Sequence, residues 1–317
     1  MSLSAARAAP TRRWGAGDME ARIVRYRDLR PCYNAFIDTR SPGSEAKENF
    51  CVIGPGVAEN PLQHVHIREA HGFNIGGARQ PPGCVNSQHS HETAEVFVVH
   101  SGRWSFNIGE RGEDAKVILG PGDVISLPTR MFRGFTNIGD DVGYLFAVLG
   151  GDDPGRVLWA PYVFDMARDF GLVLLENGEL IDTVAGQIVP PHAQVMPRTR
   201  PEQVAMMTKP TQPEAESLAW RAPARSASGV TPIIGGGGPF GWEHGFTLDR
   251  IDLAPGDNLP LYVSKKPEVM FVQSGDVSVS WADGVAEIGP GDTLTTPVGL
   301  ERAIGSTNGA IIYRVNG

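Results

Sequence analysis

Cysteine is scarce in this sequence. Cys32, Cys51 and Cys84 form an odd, scattered set with no C-x-x-C spacing, which gives neither a disulfide framework nor a zinc knuckle. That usage fits a reducing, cytoplasmic setting. Positive charge is also short: 28 Lys and Arg against 36 Asp and Glu leave a net charge of -8. No basic stripe interleaved with aromatics appears, so nucleic acid is not an expected partner. The first twenty residues hold Arg7, Arg12 and Arg13 with no apolar stretch behind them. They read as neither a secretory signal nor a membrane anchor but as a mobile arm, and no membrane partner is expected. The run Gly235 to Gly238 lacks a following Lys-Ser/Thr, which removes a phosphate-binding loop.

What is plentiful is turn-forming residues: 39 Gly and 25 Pro in 317 residues, with 41% apolar residues and 20% charged. That balance describes many turns around buried sheet, and the length suits two domains. Short apolar runs recur over Val96 to His100, Trp104 to Ile108, Lys116 to Leu119, Val124 to Leu127 and Tyr144 to Leu149. Short strands between Gly and Pro read as a sandwich or barrel. Val163, Met166 and Phe170 then fall at helical spacing over Ala160 to Phe170, with Gly171 as a stop. Residues 190–239 show little periodicity and read as a connection. Beyond them Val277, Val279 and Trp281 alternate with Ser278 and Ser280, the period of a strand with one buried face. The expected domains are an arm over 1–20, a first barrel with its helix over 21–190, a linker over 191–239 and a second barrel over 240–317.

The two halves repeat. Gly83, His89, His91, Glu95 and Gly102 align without a gap on Gly256, Tyr262, Ser264, Glu268 and Gly275. Gly122, Asp123, Pro128 and Arg133 align in the same way on Gly291, Asp292, Pro297 and Arg302. An internal repeat of this kind decides the architecture.

Gly83 to Gly102 resembles the first motif of the cupin family: glycine, five residues, His-x-His, three residues, Glu, six residues, glycine. Gly122 to Asn137 resembles the second motif, with Arg133 where the family has its fourth metal ligand, a histidine, and Arg130 where it has a glycine. The resemblance implies an all-β chain of two tandem jelly-roll barrels and a homodimer. It also implies a divalent metal in the first barrel only, with Fe favoured and Mn, Ni or Zn as alternatives, held by His89, His91 and Glu95.

The residues support that expectation independently. His89 and His91, two apart on a strand, face one side, and two imidazoles with a carboxylate form the ligand set of non-haem Fe(II) oxygenases. Arg133 cannot ligate a cation, which leaves two readings open. In one it is a catalytic residue gripping a small acidic or enolic substrate; in the other it forms a salt bridge with Glu95. The functional expectation is a metal-dependent dioxygenase. The alternatives are a redox-free isomerase, cyclase or lyase, and a non-catalytic binding protein. Tyr262 is a weaker pocket candidate, the pair His64 and His66 reads as ordinary strand residues, and Cys84 reads as a small buried hydrophobe.

Overall fold

The computed structural model describes residues 13–224 and 227–317. Two β-sandwiches follow one another. In the first, a seven-stranded sheet runs in the order Ala219–Trp220, Val124–Leu127, Glu95–Ser101, Gly143–Gly150, Phe73–Gln80, Glu48–Ile53, Val65–Ile67. It faces a five-stranded sheet ordered Val157–Trp159, Val85–His91, Arg133–Asn137, Trp104–Ile108, Ala115–Leu119. The second sandwich repeats the plan with six strands against four. The strand with the clearest alternation, Val277–Trp281, buries Val277, Val279 and Trp281 and leaves Ser280 exposed.

The helix forms over Pro161–Asp169. Pro161 at its first turn loses no hydrogen bond there, and Val163 and Ala167 turn inward. Both hairpins after the first motif close on glycine in the left-handed region, Gly102 at φ 84° and Gly275 at φ 80°. A Cβ on Gly102 would lie 2.7 Å from the Gly143 Cα, so space as well as φ requires glycine.

The connecting segments carry more structure than their sequence pattern predicts. Residues 1–12, most of the expected arm, lie outside the described residues. Ala16–Glu20 is a short helix whose Met19 is buried in the core of the second barrel. Ile23–Val24 then pairs with Thr293–Thr296 of that barrel. The stretch expected as linker supplies an edge strand to each sandwich: Ala219–Trp220 to the first and Gly229–Ile234 to the second. The barrels also share one apolar core, in which the Phe146 and Phe271 rings stack at 4.3 Å. At equivalent positions of the repeat, Gln273 Nε2 donates to the His100 carbonyl at 3.0 Å.

Candidate metal centre

His89 and His91 lie on Val85–His91 of the five-stranded sheet, and Glu95 opens the facing strand Glu95–Ser101. One donor atom from each lies within 4.8 Å of the others, and all three residues are buried. The imidazoles are prepared as ligands. His89 Nδ1 lies 2.7 Å from the Ser87 carbonyl, so the proton sits on Nδ1 and the Nε2 lone pair remains available. Burial pushes both imidazoles below the usual histidine range, which keeps them neutral near pH 7, as metal binding requires. Burial raises the Glu95 carboxyl, but the Arg133 charge, joined by that of His91 at pH values low enough to protonate it, outweighs burial and holds the carboxyl below the usual range. With His91 neutral, Arg133 is the standing positive charge beside the carboxylate.

Arg133 pairs with His89 across the sheet. Its Nη2 and Nε donate to Glu95 Oε2 at 3.0 and 3.3 Å, and its Nη1 donates to the Met131 carbonyl at 3.2 Å. The guanidinium is fully buried and does not line the cavity. The arginine considered above as a substrate-gripping catalytic residue therefore has three of its five N–H donors on the carboxylate and the backbone, the geometry of the other reading. His91 Nε2 also approaches Glu95 Oε2, at 3.4 Å. These contacts all use one oxygen of a group that can accept at two, so holding Arg133 does not disable Glu95 as a ligand. His91 Nδ1 is buried without a partner, so hydrogen bonding within the protein leaves this wall incomplete. The donor set fits a divalent ion.

The second barrel shows the same frame without the histidines. Tyr262 pairs with Arg302 across its sheet, as His89 does with Arg133. Arg302 bonds Glu268 and donates to the Leu300 carbonyl, while the Tyr262 hydroxyl donates to Glu268 Oε1 at 2.9 Å. Tyrosine closes by hydrogen bonding the position where the first barrel presents open imidazole.

Beside the three candidate ligands lies a cavity of about 80 Å³, walled by Phe36, Phe50, Phe97, Phe135 and Trp159 among others. His64 and His66 are not in its wall; His66 Nε2 accepts the Arg30 N–H near the surface. Tyr262 is also elsewhere, and Cys84 is simply buried. Sequence reasoning missed a buried support behind the candidate ligands. Ser87, whose carbonyl orients His89, gives its own N–H to Asp38 Oδ2 at 2.9 Å, and Asp38 is ion-paired with the fully buried Lys47. The Trp159 ring lies 5.4 Å from the His89 ring, and its N–H donates to Glu59 at 2.6 Å. The only available signal was that a buried indole N–H needs an acceptor.

Residues 78–149 match the family model described as Cupin domain. The first barrel is a cupin domain. No curated protein matches the sequence. Among solved structures, the whole chain has the fold of two-barrel cupins. It resembles the formate complex of Lactobacillus farciminis oxalate decarboxylase with a TM-score of 0.57 at 13% identity, over 93% of this chain and 85% of that one. It resembles a Bacillus subtilis oxalate decarboxylase whose Mn(II) centres were studied, with a TM-score of 0.52 at 11% identity, over 93% and 76% of the two chains. At these identities the likeness concerns the fold. No helix among the described residues is long and apolar enough to cross a membrane.

Proposed function

We propose that this cupin is a metal-dependent enzyme of dioxygenase type, acting on a small acidic or enolic molecule at His89, His91 and Glu95. The observation that carries this is the convergence of three buried donors within 4.8 Å, with His89 already fixed in its ligand tautomer. A salt bridge between Glu95 and Arg133 accounts for those two residues, but not for two open imidazoles where the second barrel has Tyr262 and Ser264.

When bound, an Fe(II) or Mn(II) ion supplies open coordination positions for substrate and dioxygen. The protein supplies the surroundings. Arg133 holds the Glu95 carboxylate in place and ionised, Ser87 and Trp159 fix the His89 ring, and aromatic side chains form much of the cavity wall beside them. A dication together with Arg133 outweighs the single carboxylate, so the centre attracts an anion or a readily ionised enol. Oxalate, named for the structural neighbours, belongs to that broad chemical class.

A second reading, a non-catalytic binding barrel braced by Glu95 and Arg133, draws on the recurrence of the bridge at Glu268 and Arg302. Oxygen uptake by Fe(II)-loaded protein, measured across a panel of small enols and 2-oxo acids, separates the readings. Uptake stoichiometric with substrate loss supports the dioxygenase. Turnover without uptake points to redox-free lyase or isomerase chemistry, and binding without turnover to the braced barrel.

A further inference from the structure

Among the polar side chains that line the cavity, Asn49 offers a buried donor that neither the proposed centre nor another protein group takes up. Asn49, on the strand Glu48–Ile53 of the seven-stranded sheet, reaches the same cavity as His89 and His91 of the facing sheet. The residue is 9% exposed, and its side-chain amide Nδ2 is buried with no hydrogen-bond partner. Its backbone is satisfied, the Asn49 carbonyl accepting the Cys32 N–H at 2.8 Å. Neighbouring polar groups of the wall are engaged. Asn74 Nδ2 donates to the Gly151 carbonyl and its Oδ1 accepts the Gly56 N–H, while Cys51 Sγ donates to Gln63. A buried amide donor left open is costly, and native structures keep few of them. Asn86 also lines the wall, its Oδ1 accepting from Lys47 Nζ at 3.2 Å; apart from these groups and the three candidate ligands the wall is aromatic, aliphatic or glycine, and among the described residues no Lys or Arg lines it.

We propose that Asn49 is the specificity-determining residue of this cavity, its Nδ2 donating to a carbonyl oxygen on the otherwise apolar body of the substrate. This rests on the metal-centre reading above and narrows its substrate class. The molecule is a small monoanion, chelating at the His89, His91 and Glu95 end, with an apolar body that bears one further uncharged acceptor. A second carboxylate on that body would meet no cation and would face Glu95. A site built to hydrogen-bond an oxygen rejects the analogue lacking it, because its own donor is then left unpaired.

The test uses Mn(II)-loaded full-length protein and matched 2-oxo acids: 2,4-dioxopentanoate against 2-oxopentanoate, and 2,5-dioxohexanoate against 2-oxohexanoate. Dissociation constants are read by calorimetry and by the Mn(II) electron-paramagnetic spectrum, with no reliance on turnover. The expected result is that at least one diketo acid binds on the order of tenfold tighter than its partner. Asn49→Leu and Asn49→Ala should abolish that ratio while leaving Mn(II) content and the affinity of the partner unchanged. Equal affinities within both wild-type pairs, or a preference that survives both substitutions, overturn the role of Asn49 while leaving the metal centre standing. Failure of the wild type to bind Mn(II) overturns both.

Discussion

Arg133 and Glu95 form a fully internal ion pair, Nη2 to Oε2 at 3.0 Å, and Arg302 and Glu268 form the same pair at the matching place in the second barrel. One framework thus serves two barrels, and only the first carries imidazoles at the positions beside it, where the second has Tyr262 and Ser264. The ion pair is common to both barrels, and the buried imidazoles beside it set the first barrel apart.

The second copy isolates the bracing role. Arg302→Met leaves the Glu268 carboxylate buried without its main partner, and removing one member of a buried pair costs about 3–5 kcal/mol. Chemical denaturation should show a loss of that size with metal content unchanged. Unchanged stability would mean that the pair does not brace the barrel.

In the first barrel the same arginine holds the proposed ligand Glu95. Arg133→Lys keeps a charge but loses the paired donors on Glu95 Oε2, and loss of such an outer-shell partner weakens metal binding about 10–100-fold. Competition against a chelator measures this directly. Affinity equal to wild type would remove Arg133 from the site.

Glu59 sets a pH dependence. Burial pushes its carboxyl up from an ordinary value near 4.5 to about 8, against the pull of the donors Trp159 and Ile37. Between those values the unfolded chain has released a proton that the folded chain retains, so stability falls as pH rises through that window. The slope is at most about 1.4 kcal/mol per pH unit. Glu59→Gln, which keeps an acceptor for Trp159, should flatten denaturation midpoints measured from pH 5 to 8; an unchanged slope would assign it to another group.

The repeat made the two-barrel fold and the candidate ligands legible, because strand alternation and motif spacing are local properties. Arg130 illustrates the same point: it stands where the resemblance implies glycine, and its φ is 58°. A left-handed conformation costs a non-glycine residue about 1–2 kcal/mol. Arg130→Gly should therefore stabilise the protein by up to about that amount in denaturant titrations, and destabilisation would mean that the Arg130 side chain contributes more than the strain it imposes. What stayed hidden depends on contacts between segments distant in sequence. Lys47 and Asp38 look like surface charges until the chain folds over Ser87, and Asn49 lies in a stretch with no motif. Of the edge strands drawn from the connection, Ala219–Trp220 is only two residues long, and Gly229–Ile234 is exposed over its first three residues and carries Pro232, so neither shows an alternation.

The most direct test of the account is elemental analysis of protein purified without chelators, set beside a His89→Ala/His91→Ala double variant of confirmed fold. The account predicts close to one equivalent of a divalent transition metal per chain in the wild type and none in the variant. No metal in either protein, even after reconstitution with Fe(II) or Mn(II), would contradict it and leave Glu95 and Arg133 as the brace of a binding barrel.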